Sequence, residues 1–242
     1  MLKIKNLEVI SEERTIIKNI NFQLKKGETH FLIGPNGAGK STLGLAIMGH
    51  PNFKIKQGQV LFRKKNITKY TTDQKAKMGI FLAFQQPIEF EGVKLLDFIK
   101  AGLIAVGSKR EPHTASVRKE IASTLQSLDM GQDFADRSLN WGFSGGEKRK
   151  SEALQLLTLK PRLAILDEID SGLDVDSLKA VAKAIVRLKK NSRTSFLVIT
   201  HHSRIARFLK PDFVHIMVDG KIVKSGNEKL IKHIEKYGYK NI

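Results

Sequence analysis

One glycine-rich segment constrains the fold of this 242-residue chain more than any other. A short apolar run at residues 30–33 precedes the segment, and a run with helical character follows it to Met48. The pattern Gly-x-x-x-x-Gly-Lys-Ser/Thr between a strand and a helix is typical of a phosphate-binding loop in an α/β protein. The nine residues predicted to contact phosphate are Gly34, Pro35, Asn36, Gly37, Ala38, Gly39, Lys40, Ser41 and Thr42.

The residue types of this loop explain why it suits phosphate. Gly37 and Gly39 let backbone N–H groups turn toward anionic oxygens without a side chain in the way. The following helix adds the positive end of its dipole. We therefore expect Lys40 to reach the β- and γ-phosphates of a nucleotide and the Ser41 hydroxyl to ligate Mg²⁺.

Two carboxylates follow a second apolar strand, at residues 163–166. Ligands of open α/β sheets bind at the carboxyl ends of the strands. Because neighbouring strand residues point to opposite faces, Asp167 and Glu168 should have different tasks. We expect Asp167 to hold Mg²⁺ through water, and Glu168 to polarise an attacking water or accept its proton. His201 follows the next strand and is preferred over His202 as a contact of the γ-phosphate.

The remaining pattern predicts the architecture. Strands that alternate with helices imply a largely parallel sheet. Residues 92–139 lack strand signals and show helical spacing near residues 94–105 and 114–128, which predicts a helical insertion over about residues 86–142. Asp219-Gly220 between two apolar runs indicates a hairpin. Antiparallel pieces near both ends of the chain predict a smaller flanking sheet.

Composition narrows the classes of partner. The chain has no cysteine and no apolar stretch near the length of a membrane span, so we expect a cytoplasmic protein without disulfides. The net charge of +18 indicates polyanionic partners. The lysines are spread along the chain, however, and aromatic residues make up only 7% without interleaving among them, which disfavours nucleic acid.

Taken together, these motifs resemble those of ATP-binding-cassette (ABC) ATPases over nearly the whole chain. Residues 34–42 match the Walker A loop, residues 163–168 match Walker B, and His201 matches the switch histidine. Gln85 matches the Q-loop glutamine, which contacts Mg²⁺ in that family. The two other matching segments are the signature motif, Ser144-Gly145-Gly146-Glu147, and the D-loop, Ser171-Gly172-Leu173-Asp174.

The resemblance implies a fold and a division of the chain. It implies a P-loop NTPase (RecA-like) core with a largely parallel sheet, an antiparallel β subdomain and an inserted helical subdomain. Residues 1–242 would form a single ABC ATPase domain. Residues 1–85 and 155–242 would form the catalytic core with the β subdomain, and residues 86–154 the helical subdomain with the signature motif.

The resemblance also implies ATP hydrolysis with ATP and Mg²⁺ as cofactors, Glu168 and His201 as catalytic residues, and ATP contacts from Gln85 and Asp167. Two cassettes would sandwich two ATP molecules head to tail in an ATP-dependent homodimer. The implied metal contacts are Ser41, Gln85 and Asp167. The implied contacts to the neighbouring subunit's ATP are Ser144, Gly145, Gly146, Glu147 and Asp174.

Finer features resemble one branch of the family, the SufC ATPases of the SUF iron–sulfur cluster assembly system. Phe143 replaces the leucine common in transporter signatures, and residues 81–87, 167–174 and 210–215 resemble SufC segments. This implies a SufB-like scaffold as partner, alone or with SufD, contacted around the Q-loop and the helical subdomain, and no membrane insertion. The partner would supply the cluster ligands.

Three other functions remain possible. A transporter motor subunit would use the same site chemistry. Nucleic-acid- or ribosome-associated ABC proteins usually carry a coiled-coil insertion or two tandem cassettes, which this chain lacks. A cassette that binds ATP without turnover is disfavoured because Glu168 and His201 are both present.

Overall fold

The structure, a computed structural model, describes residues 1–107, 113–200 and 204–239. The strands in these ranges are β1 Leu2–Ser11, β2 Arg14–Leu24, β3 Thr29–Ile33, β4 Lys54–Phe62, β5 Lys65–Asn66, β6 Ile80–Ala83, β7 Leu163–Asp167, β8 Ser195–Ile199, β9 Phe213–Val218 and β10 Lys221–Gly226. The α-helices are α1 Lys40–Met48, α2 Thr72–Lys77, α3 Leu95–Ala105, α4 Thr114–Ser127, α5 Gly145–Leu159, α6 Val175–Ser192 and α7 Lys229–Tyr237.

The central sheet has six strands in the order β10-β9-β3-β8-β7-β6. All neighbouring pairs are parallel except the β9–β10 hairpin. Every residue of β3, β7 and β8 is buried, and alternate residues belong to two different cores. A sheet covered on both faces requires continuous apolar strands, as the sequence has here. The predicted α/β fold with a largely parallel sheet is confirmed.

A smaller antiparallel sheet, in the order β2-β1-β4-β5, covers one face of the central sheet together with α1. The prediction of a flanking sheet is right for the strands near the amino end and wrong for the carboxyl-terminal hairpin. That hairpin extends the central sheet, because β9 pairs in parallel with β3. Val214, His215, Ile216 and Met217 of β9 are buried on both faces. Only the central sheet can cover both faces of such a strand.

The other face of the central sheet carries the helical region. Val117, Ile121 and Leu125 of α4 and the following Leu128 are all buried in one core, as the predicted helical face requires. Helix α5 runs without interruption through residues 154 and 155, where a subdomain boundary was predicted. The division into subdomains stays a prediction. No helix in the described ranges is both long and apolar enough to cross a bilayer.

One short helix, α2, was not predicted, although its capping box was readable in the sequence. The Thr71 side chain accepts from the backbone of Gln74, and the Gln74 side chain accepts from the Thr71 backbone. The helix places Lys75 against the carboxyl end of α1. There a Cβ on the capping residue Gly49 would lie only 2.9 Å from the Lys75 Nζ.

Lys75 is fully buried, and its Nζ has no hydrogen-bond partner among the described residues. Burial lowers the pKa of Lys75 to about 8 from the ordinary 10.5. The charged form is therefore less favourable in the folded chain than in the unfolded chain. At neutral pH this ammonium group destabilises the fold.

We expect Lys75→Met to raise the free energy of unfolding by about 1–3 kcal/mol below pH 8, because it removes an unpaired buried charge. Between pH 8 and 10.5 the unfolded wild-type chain binds more protons than the folded chain, so wild-type stability rises and the difference shrinks. Denaturant unfolding at several pH values measures this. Lys77→Met, at an exposed lysine paired with Asp73, is the control and should change stability by no more than about 0.5 kcal/mol.

Candidate active site

The strand register explains why the predicted site residues meet. In the central sheet β8 lies between β3 and β7, and all three strands are parallel. Ile199 is the partner of Leu32 in one ladder and of Asp167 in the other. The loop after β3 and the acids at the end of β7 therefore emerge at the same edge.

The phosphate loop rests on the β9–β10 hairpin. A Cβ on Gly34 would lie 2.1 Å from the Met217 carbonyl oxygen, so no other residue fits without moving the backbone. At the hairpin turn, the Gly220 N–H donates to the Ala38 carbonyl oxygen at 3.0 Å. These contacts fix the start and the middle of the loop.

The phosphate loop leaves open space at Gly37 and leads directly into the amino end of α1. Gly37 and Gly39 adopt left-handed φ values of 78° and 96°, and Gly39 is the N-cap of α1. A Cβ on Gly37 would meet nothing within 4 Å. The first turn of α1 has no acidic residue, so no carboxylate from that turn offsets the positive end of the helix dipole. The geometry suits an anion.

The Lys40 side chain folds back to the start of the phosphate loop. Its side chain is buried, and Nζ donates to the carbonyl oxygens of Gly34 and Pro35, at 2.9 Å each. Burial lowers the pKa of Lys40, while Glu168 and Asp167 act in the opposite direction. The ammonium group thus lies between the loop backbone and the two acids.

The two acids have different hydrogen-bond partners, and only Asp167 belongs to the strand. Asp167 is buried at the end of β7, where burial raises its pKa and the Ser41 side chain acts in the opposite direction. Glu168 has a left-handed φ of 51°, and its N–H donates to the Ile199 carbonyl oxygen at 2.9 Å. Its Oε2 accepts from the Gln85 Nε2 at 2.9 Å. Gln85 therefore contacts Glu168 directly.

The residues predicted to contact metal fit Mg²⁺ bound together with a nucleotide. Burial raises the pKa of Asp167 to about 6, and its Oδ1 has no hydrogen-bond partner among the described residues. The Ser41 hydroxyl and the Gln85 side chain would add neutral oxygen ligands. No group of three or more histidines and acids capable of holding a metal occurs in the described part of the chain. Mg²⁺ usually takes one or two carboxylates and completes its shell with water and phosphate oxygens.

The signature segment forms the start of α5. Ser144 and Glu147 make a capping box, in which the Ser144 N–H donates to Glu147 Oε2 at 2.7 Å and the Glu147 N–H donates to Ser144 Oγ at 3.3 Å. The backbone hydrogen bond from Ser144 lowers the pKa of Glu147. Ser144 and Gly145 are exposed and Gly146 is half-buried. Within the described ranges, no hydrogen bond joins this segment to the phosphate loop.

Phe143 and Asp174 have local structural tasks. The buried Phe143 ring packs edge-on against Phe134 at a centroid distance of 4.8 Å, and the Arg137 guanidinium lies 4.7 Å from its centre. Asp174 is the N-cap of α6 and accepts from the Ser177 N–H at 2.7 Å. Its predicted contact with a neighbouring subunit stays a prediction. His201 lies outside the described residues.

Sequence reasoning missed one buried ion pair beside this site. Arg149 and Glu152 of α5 contact the backbone at Phe84 and Gln85. No sequence signal separates these two charged residues from their more exposed neighbours on the same helix. Only the packing of α5 against the end of β6 shows which charges are enclosed.

Comparison with known proteins identifies the family. A family model described as "ABC transporter" matches residues 17–171. The probable ATP-dependent transporter ycf16 of Antithamnion sp. is 43% identical over 242 residues, covering 99% of this chain and 96% of that protein. Vegetative protein 296 of Bacillus subtilis (strain 168) is 42% identical over 241 residues, covering 98% of this chain and 91% of that protein.

A solved structure shares the fold. The dimeric post-hydrolysis state of the ATP-binding cassette MJ0796, bound to ADP and Pi, matches with a TM-score of 0.81 at 24% identity, covering 94% of this chain and 98% of that one. The predicted cassette fold is therefore confirmed. The predicted enzyme class, an ATP hydrolase, is confirmed by the match to the family model. The chain belongs to the ABC transporter family, as a cassette that binds and hydrolyses ATP.

Proposed function

We propose that two copies of this cassette enclose ATP and Mg²⁺ head to tail, and that hydrolysis drives a conformational change in a SufB/SufD-type scaffold for iron–sulfur cluster assembly. The choice of scaffold rests on the SufC-like segments at residues 81–87 and 167–174 and on Phe143. The absence of cysteine agrees with cluster ligands that come from the partner.

The observation that carries the proposal is the clustering of Lys40, Asp167, Glu168 and Gln85 at one sheet edge, while the signature segment is exposed elsewhere. A second copy would bring its Ser144, Gly145 and Gly146, at the positive end of a 15-residue helix, to the γ-phosphate. The cassette MJ0796 forms a dimer in a post-hydrolysis state bound to ADP and Pi. Two incomplete sites would thus become complete together.

The chain's own residues supply the hydrolytic chemistry. Gln85 holds the Glu168 carboxylate, which would polarise the attacking water and accept its proton. Lys40 and the N–H groups of the loop would stabilise negative charge on the γ-phosphate oxygens. Mg²⁺ held by Asp167, Ser41 and Gln85 would neutralise part of the β- and γ-phosphate charge. We assign His201 a contact with the γ-phosphate.

An apolar surface next to Gln85 suits a protein partner. The docking patch consists of Ile88, Phe90, Val93 and Trp141, each between 39% and 51% exposed. Its backbone is ordered by hydrogen bonds, because the Asn140 Nδ2 donates to the Ile88 carbonyl oxygen at 2.8 Å. Clustered exposed apolar side chains indicate a protein interface.

The motor subunit of a membrane transporter is the second candidate, and the names of several relatives favour it. The docking patch would then contact a membrane protein. Affinity purification followed by mass spectrometry separates the two functions. Recovery of a SufB-type protein supports the first proposal, and recovery of a polytopic membrane protein in its place contradicts it.

Lys40→Met tests the phosphate loop. We expect nucleotide affinity, measured with a fluorescent ATP analogue, to fall about 10- to 100-fold, because one charge-assisted contact contributes about 1.5–3 kcal/mol. Lys26→Met, at an exposed lysine outside the loop, is the control and should bind normally. Unchanged affinity in Lys40→Met would contradict the assignment.

Glu168→Gln tests the proposed base. The isosteric amide keeps the shape of the site, so ATP should bind normally while hydrolysis falls about 10²- to 10⁴-fold. Size-exclusion chromatography with ATP should then show a persistent dimer. Glu120→Gln, at a surface glutamate paired with Lys160, should hydrolyse ATP at the wild-type rate. Normal turnover by Glu168→Gln would remove Glu168 from the mechanism.

Ile88→Asp tests the docking patch. A charge at this exposed apolar position should weaken binding to a SufB–SufD pair at least about 30-fold, a loss of about 2 kcal/mol, while basal ATP hydrolysis stays within about twofold of wild type. Calorimetry measures the affinity. Val223→Asp, at an exposed residue of β10, is the control. Equal binding by wild type and Ile88→Asp would place the interface elsewhere.

A further inference from the structure

Helix α5 carries a buried ion pair whose two members also bind a separate segment of main chain. Arg149 Nη1 lies 3.0 Å from Glu152 Oε2, and the two side chains are only 6% and 5% exposed. Charged side chains are rarely buried to this extent unless they are paired. A pair enclosed to this degree has partners that account for its position.

Those partners are backbone groups at the end of β6. Glu152 Oε1 accepts from the Phe84 N–H at 2.9 Å. Arg149 donates from Nη1 to the Phe84 carbonyl oxygen at 2.6 Å and from Nη2 to the Gln85 carbonyl oxygen at 2.5 Å. Strand β6 ends at Ala83, so the sheet no longer supplies partners for these groups. Arg149 and Glu152 therefore supply the hydrogen-bond partners that a neighbouring strand would otherwise provide to these backbone groups.

The segment held in this way leads directly to the proposed catalytic carboxylate. The Gln85 main chain is bound by Arg149, and its side chain donates to Glu168 Oε2 at 2.9 Å. Gln85 thus links α5 to Glu168. Because α5 begins next to Ser144, the same contacts also fix the signature end of the helix relative to Gln85.

Stability alone does not explain such a pair. Removing two charges from water is costly, and well-packed apolar residues of similar size often stabilise a protein as much or more. The fork of a guanidinium group binds two carbonyl oxygens in a defined geometry, which an apolar side chain cannot do. The pair is better suited to fixing a position than to adding stability.

We propose that Arg149 and Glu152 are positioning residues, which set the main chain at Gln85 so that its side chain orients Glu168 for hydrolysis. This inference rests on the proposed roles of Gln85 and Glu168. Neither Arg149 nor Glu152 contacts the reacting atoms in this arrangement. Their effect on hydrolysis passes through Gln85.

The first test is Arg149→Lys, which keeps the charge beside Glu152 and removes the fork. We expect kcat to fall about tenfold, because a small displacement of a catalytic group has effects of this size or larger. The KM for ATP and the affinity for a fluorescent ATP analogue should stay within twofold of wild type. Glu152→Gln is the second variant if Arg149→Lys does not fold, with the same expected split between kcat and KM.

A double-mutant cycle with Gln85→Ala tests whether the effect passes through Gln85. Once the side chain of Gln85 is absent, Arg149→Lys should lower kcat no further. Hydrogen exchange gives a direct structural measurement, because the Phe84 amide should exchange faster in Glu152→Ala than in wild type. Arg118→Lys is the matched control, since Arg118 makes a bidentate pair with Asp136 in the same helical region and should leave kcat unchanged.

Two results would overturn the inference: fully additive losses in Arg149→Lys and Gln85→Ala, or a loss confined to KM. Glu168→Gln keeps this test separate from the proposed function. If Glu168→Gln abolishes hydrolysis while the losses are additive, only the positioning role fails. If Glu168→Gln hydrolyses ATP normally, the proposed function fails first.

Discussion

The parallel pairing of β3, β8 and β7 is the constraint on which the site depends. Because Ile199 faces Leu32 on one side and Asp167 on the other, the ends of three strands lie level with one another. The phosphate loop and the two acids then emerge at the same edge of the sheet as a result of strand pairing alone. A shift of one residue in either ladder would turn Asp167 away from Lys40.

The sequence predicted the elements that carry a local signal. Local sequence patterns of a few residues were enough to predict three features. These are the continuous apolar strands, the glycine-rich loop and the acids after residue 166. Alternation along a strand does not account for Glu168, because β7 ends at Asp167 and Glu168 has a left-handed φ of 51°. The hairpin at Asp219-Gly220 was also readable, but the sheet that it joins was not. That choice depends on β9 being buried on both faces, which becomes apparent only when β3 lies beside it.

Features that arise from contacts between distant segments escaped prediction. Arg149 and Glu152 look like other charged residues of a helix until α5 packs against Phe84. Lys75 belongs to a charged stretch, yet the turn of α2 buries it against the end of α1. In both cases the residue type determines the charge, and tertiary packing determines whether the charged group is exposed to solvent. Neither outcome has a signature within one or two helical turns.

The capping box at Ser144 has a consequence for the strength of any grip on phosphate. The Glu147 carboxylate already occupies the positive end of α5 and accepts a hydrogen bond from the Ser144 N–H. In the proposed dimer, an arriving phosphate would therefore meet this negative charge and could not draw on the full field of the helix dipole. The Ser144 hydroxyl accepts from the Glu147 N–H, which leaves its own proton free to point outward. The segment would thus offer the phosphate a hydroxyl donor next to a repulsive carboxylate, which weakens any grip on it.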